Sequence, residues 1–490
     1  MDHSENILKL AFAAHNAGRH QEAETLCREL AQSGLADAQF FFLLGMVLHQ
    51  TRRETEAAEW LERAARLQPG DARIISGLGV VWQKLGDPAR AARYFTRATE
   101  LEPGRANHFY GLGNAVYCLD EVERAAAAFQ RAVELNPRDV ESWNNLGKCL
   151  KELNRAEESI DAYDRALALN PRYLLALQGR SISLLTAGRL AEGFRDYEIR
   201  WVTLKRREFA PERWAGQPLP GKTLFLHAEQ GFGDGIQSAR YAKLARHRCA
   251  RVILECRPEL KTLFTLSGVA DQVIAFGEEI PPFDSYASVI SLPGLLNIAL
   301  DNIPGDVPYL IAPSAKRPLA ALGGNIKVGL VWAGSPTHRD DANRSVPLAL
   351  LAPVLAVPEV SFYSLQMPVP ERDAATLTEF PNLTKLGDFG DYLATATMVS
   401  EMDLVISVDT SVAHLAGALG KPVWTMVQFA ADWRWFAQFC ERTPWYPTMR
   451  LFRQPRRGDW RQVIAQVAKE LTRQAAGHRL AAGIAKLKRV

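Results

Sequence analysis

Three short stretches of this chain combine carboxylates, hydroxyls and a guanidinium with glycine. The first is His227-Ala-Glu-Gln-Gly-Phe-Gly-Asp-Gly-Ile-Gln237, in which Asp234 stands among Gly231, Gly233 and Gly235. Glycines let backbone approach a ligand closely, and a carboxylate held there suits a general base that takes the proton of an attacking hydroxyl. Asp234 placed as a helix N-cap would need no function at all. Ile236 occupies the place of the third glycine of a dinucleotide fingerprint, and no acidic partner follows about 20 residues on, which disfavours a nicotinamide enzyme.

The second stretch, Trp332-Ala-Gly-Ser-Pro-Thr-His-Arg-Asp-Asp-Ala-Asn-Arg-Ser-Val346, leaves an apolar run through Gly334 and Ser335 and returns with Arg344 and Ser345. Hydroxyl and guanidinium donors gathered there suit phosphate oxygens, which a guanidinium meets with a two-pronged fork. The third stretch is Asp-Thr-Ser-Val-Ala-His-Leu-Ala-Gly-Ala-Leu-Gly-Lys-Pro-Val-Trp, residues 409 to 424, directly behind the apolar run 403 to 408. With Asp409 read as the N-cap, the amides of Thr410, Ser411 and Val412 are the unpaired donors of a helix start, which together with the helix dipole attract a diphosphate. Ser411 and His414, three apart, share a face of that helix, and His414 read as a satisfied core residue is the plainer alternative. Ala413, Ala416, Gly417 and Ala418 keep the helix close to its sheet.

The elements that must position these stretches are short apolar strands alternating with helical patterns. One series covers 223–228, 251–256, 272–276 and 287–292; a second covers 327–332, 360–365, 404–408 and 422–427, after a Pro- and Gly-containing segment at 304–325. Such alternation implies parallel sheets covered on both faces. Ligands of open α/β sheets sit beyond the carboxyl ends of strands, where all three stretches fall.

Ahead of them runs a repeat. Prolines stand at 69, 103, 137 and 171, each 34 residues after the last, the tetratricopeptide period. Leu44-Gly45, Leu78-Gly79, Leu112-Gly113 and Leu146-Gly147 recur on the first helix of each unit. Ala57, Ala91 and Ala125 recur on the second, with Ser159 as the exception, followed by Leu61, Phe95, Phe129 and Tyr163 and then Ala64, Ala98, Ala132 and Ala166. Degenerate units from about residue 4 and from about 174 extend the array to roughly 1–207, and a turn-rich linker at 215–222 follows. Stacked repeats bury faces that no single helix pair can bury, leaving an extended concave surface. Asn107, Tyr110, Asn114, Tyr117, Asn144, Lys148 and Lys151 are expected to face inward, where they either contact the backbone of an acceptor polypeptide or are simply solvated.

The chain's 58 Lys and Arg against 55 Asp and Glu demand no nucleic-acid partner. From Arg450 to the end, eleven basic residues face two acids, so the last stretch is either a solvated helix face or a peripheral contact with an anionic membrane. The six cysteines (27, 118, 149, 249, 256 and 440) form no Cys-x-x-Cys pair and read as reduced core residues. No signal-like start and no long uncharged apolar run is present, and a cytoplasmic protein is expected.

Residues 326–430 closely resemble the carboxyl half of the ADP-heptose:lipopolysaccharide heptosyltransferases, and Gly233-Asp234 resembles that family's amino-terminal Gly-Asp. With repeats ahead, and Asp-Trp-Arg-Trp (432–435) and Pro-Trp-Tyr-Pro-Thr-Met-Arg-Leu-Phe-Arg-Gln (444–454) behind, the chain is similar to bacterial tetratricopeptide-repeat glycosyltransferases. Its layout is similar to that of O-linked N-acetylglucosamine transferases and flagellin glycosyltransferases. The resemblance implies an α-solenoid (1–207) followed by two Rossmann-like α/β domains in the GT-B arrangement. These would be an acceptor-side domain at 218–315 and a nucleotide-sugar domain at 326–474, with a basic tail at 475–490. It also implies an inverting, metal-independent transferase without a cofactor beyond its nucleotide-sugar co-substrate.

By family position Asp234 is the base, and Arg344 with Ser335 holds the leaving diphosphate. Gly233, Ser345, Gln366, Asp409, Thr410, Ser411 and His414 complete the donor site. The heptosyltransferases commonly carry lysine where Arg344 stands and glycine where Ser411 stands, so sugar specificity does not carry over. A protein acceptor such as flagellin, held by the repeats, is the leading expectation. A lipopolysaccharide or polysaccharide acceptor, or an inactive repeat scaffold, is the alternative.

Overall fold

A computed structural model of the chain describes residues 3–32, 37–204, 206–315, 319, 325–338, 340–387, 389–438 and 441–487. It gathers into two compact units, Met1–Arg180 and Ser181–Val490. A helical tetratricopeptide solenoid is followed by a region of parallel sheets.

The solenoid's repeat is visible in its turns. Gly18, Arg52, Gly86, Asp120, Asn154 and Gly188, each 34 residues after the last, all have φ between 59° and 81°. Each ends the first helix of its unit in the left-handed conformation that frees the last carbonyls for capping. The next residue's amide reaches back five residues, as in Arg53 to Leu48 and Asp87 to Trp82, 2.9 and 3.0 Å. Three of the six, Arg52, Asp120 and Asn154, adopt the turn without glycine, with Asp and Asn tolerating it best.

The recurring glycines are explained by what stands opposite. A Cβ on Gly45 would lie 2.6 Å from Leu61, on Gly79 2.9 Å from Phe95, on Gly113 2.7 Å from Phe129, and on Gly147 3.0 Å from Tyr163. The large residue of each unit thus fills the space its own glycine leaves open, and each buried ring or leucine stabilises the array by roughly 1.5–3 kcal/mol. Ser159 replaces the recurring alanine without leaving a stranded hydroxyl, because its Oγ donates to the Gly147 carbonyl at 2.7 Å.

In the second unit the first sheet holds β1 (Glu212–Arg213), β2 (Leu219–His227), β3 (Cys249–Cys256), β4 (Gln272–Ala275) and β5 (Ser285–Ser288), ordered β1-β5-β2-β3-β4 and parallel throughout. The second holds β6 (Ile326–Val331), β7 (Val360–Ser364), β8 (Leu383–Lys385), β9 (Leu404–Val408), β10 (Val423–Val427), β11 (Arg442–Thr443) and β12 (Tyr446–Arg453). Its order is β11-β12-β10-β9-β6-β7-β8, with only β11 antiparallel. β9 is buried at every residue, as expected of a strand covered on both faces. The run expected as a strand at 287–292 is one only to Ser288, whose Oγ accepts the Ile290 amide and turns the chain into a short helical turn. β12 was not legible as a strand, because Pro447, Arg450 and Arg453 interrupt its apolar pattern.

The stretch expected as a basic tail from 475 belongs to the long helix Trp460–Leu487, whose Val463, Ile464, Val467 and Leu471 are buried under the second sheet. Side chains past residue 479 lie outside the described residues. Among the described residues no helix is long and apolar enough to cross a membrane. Cys27, Cys118, Cys149, Cys249 and Cys256 are free thiols, and Cys440 lies outside the described residues.

Candidate functional site

The helix Phe232–Ala245 starts directly beyond β2, with Gly231 as its N-cap. Asp234 is the third helical residue, and its Oδ2 accepts the Gly231 amide at 2.8 Å. Thus the capping role does exist, exercised from inside the helix. The same carboxylate reaches across to the second sheet: its Oδ1 accepts from Arg434 Nη2. Arg434, 8% exposed, also donates from Nη1 to Asp432 at 2.7 Å and from Nε to Gln237 at 2.8 Å. It lies over the Trp433 ring at 4.3 Å. All three of its nitrogens are therefore committed.

Beyond β9 the helix Ser411–Ala418 begins with Thr410, not Asp409, as its N-cap. Thr410 has extended backbone there and shares its hydroxyl with Ser407 Oγ at 2.9 Å. The free amides accordingly shift by one residue from those expected. Ala413 and His414 already bond the Thr410 carbonyl, leaving Ser411 and Val412 as donors without an acceptor among the described residues. Asp409 is released from capping and turns its carboxyl toward His414, Oδ1 to Nε2 4.0 Å. Burial, and then the charge of Asp432, raises the Asp409 pKa from its ordinary 3.8 to about 6. Arg434 outweighs desolvation at Asp432 and holds that carboxyl below its usual range.

The two helix starts meet. A Cβ on Gly233 would stand 3.0 Å from His414 Cδ2 and 3.6 Å from Ser411 Cα, so this glycine sets how closely the first sheet's helix can lie on the second's. His414 is 3% exposed, stacks on Trp435 at 5.2 Å and 19°, and bonds Tyr446 through Nδ1 at 3.0 Å. Burial, then the nearby Arg434 charge, lowers its pKa to about 3, so it is neutral. Tyr392, which the sequence did not single out, donates to Ser411 Oγ at 2.6 Å and packs on Phe232 at 4.9 Å.

Arg344 stands at the end of the short helix Asp341–Arg344 and meets only long contacts, Nε to Asp341 at 3.3 Å and Nη1 to the Asp409 carbonyl at 3.4 Å. Its guanidinium lies flat on Gly334, where a Cβ would be 2.4 Å from Nη2. Unlike Arg434, it keeps donor capacity for an incoming anion. Ser345 is buried and serves the loop itself, accepting the Gly334 amide at 2.9 Å and donating to Asp341 at 2.8 Å. Ser335 shares its hydroxyl with Thr337 at 2.8 Å on the exposed side of the loop. Gln366, expected at the donor, is instead buried at 3% exposure with its oxygen on the Trp332 and Ala333 amides (3.1 and 2.9 Å) and its nitrogen on the Pro368 carbonyl. It braces the Trp332 loop, since a buried amide needs those partners.

A further group anchors the Gly-Asp loop from behind. Gln230 has φ 65° and its carbonyl accepts Arg257 Nη2 at 3.0 Å, while Glu229 pairs with Arg200 at 2.7 Å. The signal in the sequence was the segment 198–201, which carries Arg200 and Trp201 at the end of the last degenerate repeat.

On the solenoid, Asn107 and Lys148 are exposed, and Asn114 and Tyr110 are half-buried. Tyr110 donates to Glu141 at 2.6 Å, and the Lys148 ammonium sits over Tyr117 at 4.0 Å. Asn144 is a correction: at 7% exposure it is buried and spends its amide on Asn145, and it is Asn145 that bonds Asn114, at 3.2 Å. The helix Val140–Glu152 buries Ser142, Asn144 and Leu146 alike.

Comparison with known proteins agrees with the helical half. Residues 8–72, 83–133, 119–173 and 145–202 match the tetratricopeptide repeat family. The chain is 28% identical over 329 residues to Protein FlbA of Caulobacter vibrioides, an alignment covering 61% of this chain and 55% of that protein, so the chain spans about half that relative's length. Among solved structures, a crystal structure of the MamA protein is 18% identical, covering 35% of this chain and 97% of its own, with a TM-score of 0.32. YrrB, described as a TPR protein with an unusual peptide-binding site, is 21% identical, covering 36% of this chain and 90% of its own, with a TM-score of 0.33.

Proposed function

We propose that this chain is an inverting glycosyltransferase whose two parallel-sheet layers form a GT-B-type site, with a nucleotide-sugar as donor and a hydroxyl as acceptor. The observation that carries the reading is the convergence of Asp234, in the first turn of the helix beyond β2, with the helix start at Ser411, beyond β9, and the free donors of Arg344, beyond β6. An acid, a preformed anion seat and an uncommitted guanidinium are the parts such a transfer requires.

In the proposed reaction the acceptor oxygen forms a bond to the anomeric carbon as the bond to the nucleoside diphosphate breaks on the opposite face. Asp234 takes the acceptor proton. Each of its oxygens carries one hydrogen bond, from Gly231 or from Arg434, and retains a lone pair for that purpose. Arg434 fixes the carboxylate's direction. The leaving diphosphate gains negative charge and is met by Arg344 and by the Ser411 and Val412 amides, donors already aimed before charge develops. Asp409, with its raised pKa, is the acid that best tolerates an anion nearby.

A protein acceptor held by the repeats is part of the proposal, supported by the tetratricopeptide match and by Asn107 and Lys148 standing exposed. Isothermal titration of the full chain with ADP, UDP, GDP and CMP tests the donor half. One nucleotide is expected to bind in the micromolar range, and Arg344→Ala to weaken it by about 1.5–3 kcal/mol, the scale of a charged hydrogen bond. Absence of binding by all four, with acceptor protein present as well, overturns the reading.

A further inference from the structure

Behind His414 runs a buried line of polar groups that the proposed reaction does not use. Arg240, 3% exposed, has no carboxylate among its hydrogen-bond partners in the described residues. Its Nη2 donates to Tyr309 Oη at 3.0 Å, and Nη1 donates to the carbonyls of Trp445 and Pro304 at 2.7 and 3.0 Å. Tyr309 Oη donates its single proton to the Ile236 carbonyl at 3.1 Å. Tyr446 Oη stands 3.4 Å from Tyr309 Oη and 3.0 Å from His414 Nδ1.

Counting protons along this line fixes the last one. Tyr309 has spent its hydrogen, so any bond between the two phenols is donated by Tyr446. A phenol has one hydrogen to give, and Tyr446 meets a shorter contact and a lone pair at His414 Nδ1. The opposite arrangement would place a hydrogen on Nδ1 and aim a bare Nε2 lone pair at the Asp409 carboxyl 4.0 Å away, acceptor against acceptor. Which ring nitrogen of a neutral histidine carries the proton is set by the bond the other makes.

We infer that Tyr446 is a positioning residue that holds His414 as the Nε2–H tautomer, presenting a hydrogen-bond donor toward Asp409 and the helix start at Ser411. The assignment of that donor to an oxygen of a bound nucleotide-sugar rests on the transferase reading; the tautomer does not. His414 is kept neutral by its burial, which leaves one ring hydrogen to place. The sequence contains the device that lets Tyr446 reach. A Cβ on Gly417 would stand 2.5 Å from Tyr446 Cδ1, so only glycine, one turn beyond His414, lets the phenol lie against this helix. The line also joins elements of both sheets, since Arg240 and Ile236 sit on the helix beyond β2 and Tyr446 opens β12.

The test is long-range proton–nitrogen NMR on the full chain labelled with nitrogen-15 histidine, with His414 assigned by its loss in His414→Gln. His414 is expected to show a directly bonded hydrogen on Nε2 and a bare Nδ1 in the native chain, and Tyr446→Phe to bring in an Nδ1–H population. A native chain with Nδ1–H, or an unchanged His414 pattern in Tyr446→Phe, overturns the inference, and the native spectrum alone suffices if the variant folds poorly. Nucleotide titration supplies the second arm. Tyr446→Phe and His414→Gln should each weaken the bound nucleotide about fivefold, and the double variant no more than His414→Gln alone, the signature of two residues acting as one. Multiplicative losses in the double variant overturn the inference. If no nucleotide binds the native chain while Nε2–H is observed, the transferase reading falls and the tautomer stands.

Discussion

Asp234 and Arg434, two hundred positions apart in the chain, form one ion pair that joins the helix start beyond β2 to the segment beyond β10. The same Asp234 carboxylate receives the amide of its own helix start, so one side chain caps a helix, ties two sheets together and faces the proposed acceptor.

These three duties separate by mutation. Asp234→Asn keeps an oxygen for the Gly231 amide and is expected to cost only about 1–3 kcal/mol of stability through the weakened Arg434 bond. Transfer should fall by about 10²–10⁴-fold if Asp234 is the base. Turnover near the native rate, with fold and nucleotide affinity intact, would remove it from that role.

Arg434→Ala leaves Asp234 and Asp432 around an emptied, buried position. Removing one partner of a buried pair costs about 3–5 kcal/mol, so chemical denaturation should show Arg434→Ala to be far more damaging than Arg344→Ala. Arg344 meets only contacts of 3.3 and 3.4 Å, and its loss should spare stability while weakening nucleotide binding. Equal destabilisation by the two variants would contradict the division of labour between them.

Gly113→Ala forces a methyl to 2.7 Å from the Phe129 ring, whereas at Gly104 nothing lies within 4 Å and φ is ordinary. The first should destabilise the repeats by about 1–3 kcal/mol through overpacking; the second should be neutral or slightly stabilising. Circular-dichroism melts of the two variants check the contrast.

Acid stability carries a sign. Burial, then Arg207 and Arg434 respectively, lowers His227 to about 4 and His414 to about 3, both below the ordinary 6.5. The unfolded chain therefore takes up these protons first as pH falls. The stability that the neutral rings contribute is complete above pH 6.5 and lost on acidification toward 4 and 3, by about 2 kcal/mol for each by pH 5. Asp409, raised from 3.8 to about 6, works in the opposite direction through that window and offsets part of the loss. Urea melts from pH 7 to 4.5 should show a net decline, and His414→Gln should flatten it by about 1.4 kcal/mol per pH unit. Parallel slopes in the two proteins would count against His414 as a buried neutral ring.

The repeats were legible in the sequence because every repeat solves the same local problem. The 34-residue period, the glycine opposite each large residue and the closing proline all act within one helix pair or between neighbours, so their spacing in the chain is their spacing in space. Buried parallel strands were legible for a related reason: β9 is buried throughout and apolar but for Ser407, because both its faces are covered. The Gly-Asp, Ser-Arg and Asp-Thr-Ser stretches could likewise be placed at strand ends from chain order alone.

What joins those stretches was decided only by tertiary structure. Arg434 occupies a segment without periodicity, and nothing in its neighbours announces that it will meet Asp234 and Gln237. Gln366 looked like a ligand and became a brace, because burial obliges an amide to satisfy backbone first. Asp409 and Thr410 exchanged the capping role by one residue, a choice set by backbone angles that side-chain identity leaves open. Tyr392 and Tyr446 entered the site from a helix and a strand elsewhere in the chain, and on the solenoid it is Asn145, not Asn144, that bonds Asn114. Sequence spacing specifies contacts one turn or one repeat away; contacts between residues far apart in the chain depend on how sheets and helices pack, and here that packing sets Asp234 against Arg434 and His414 against Tyr446.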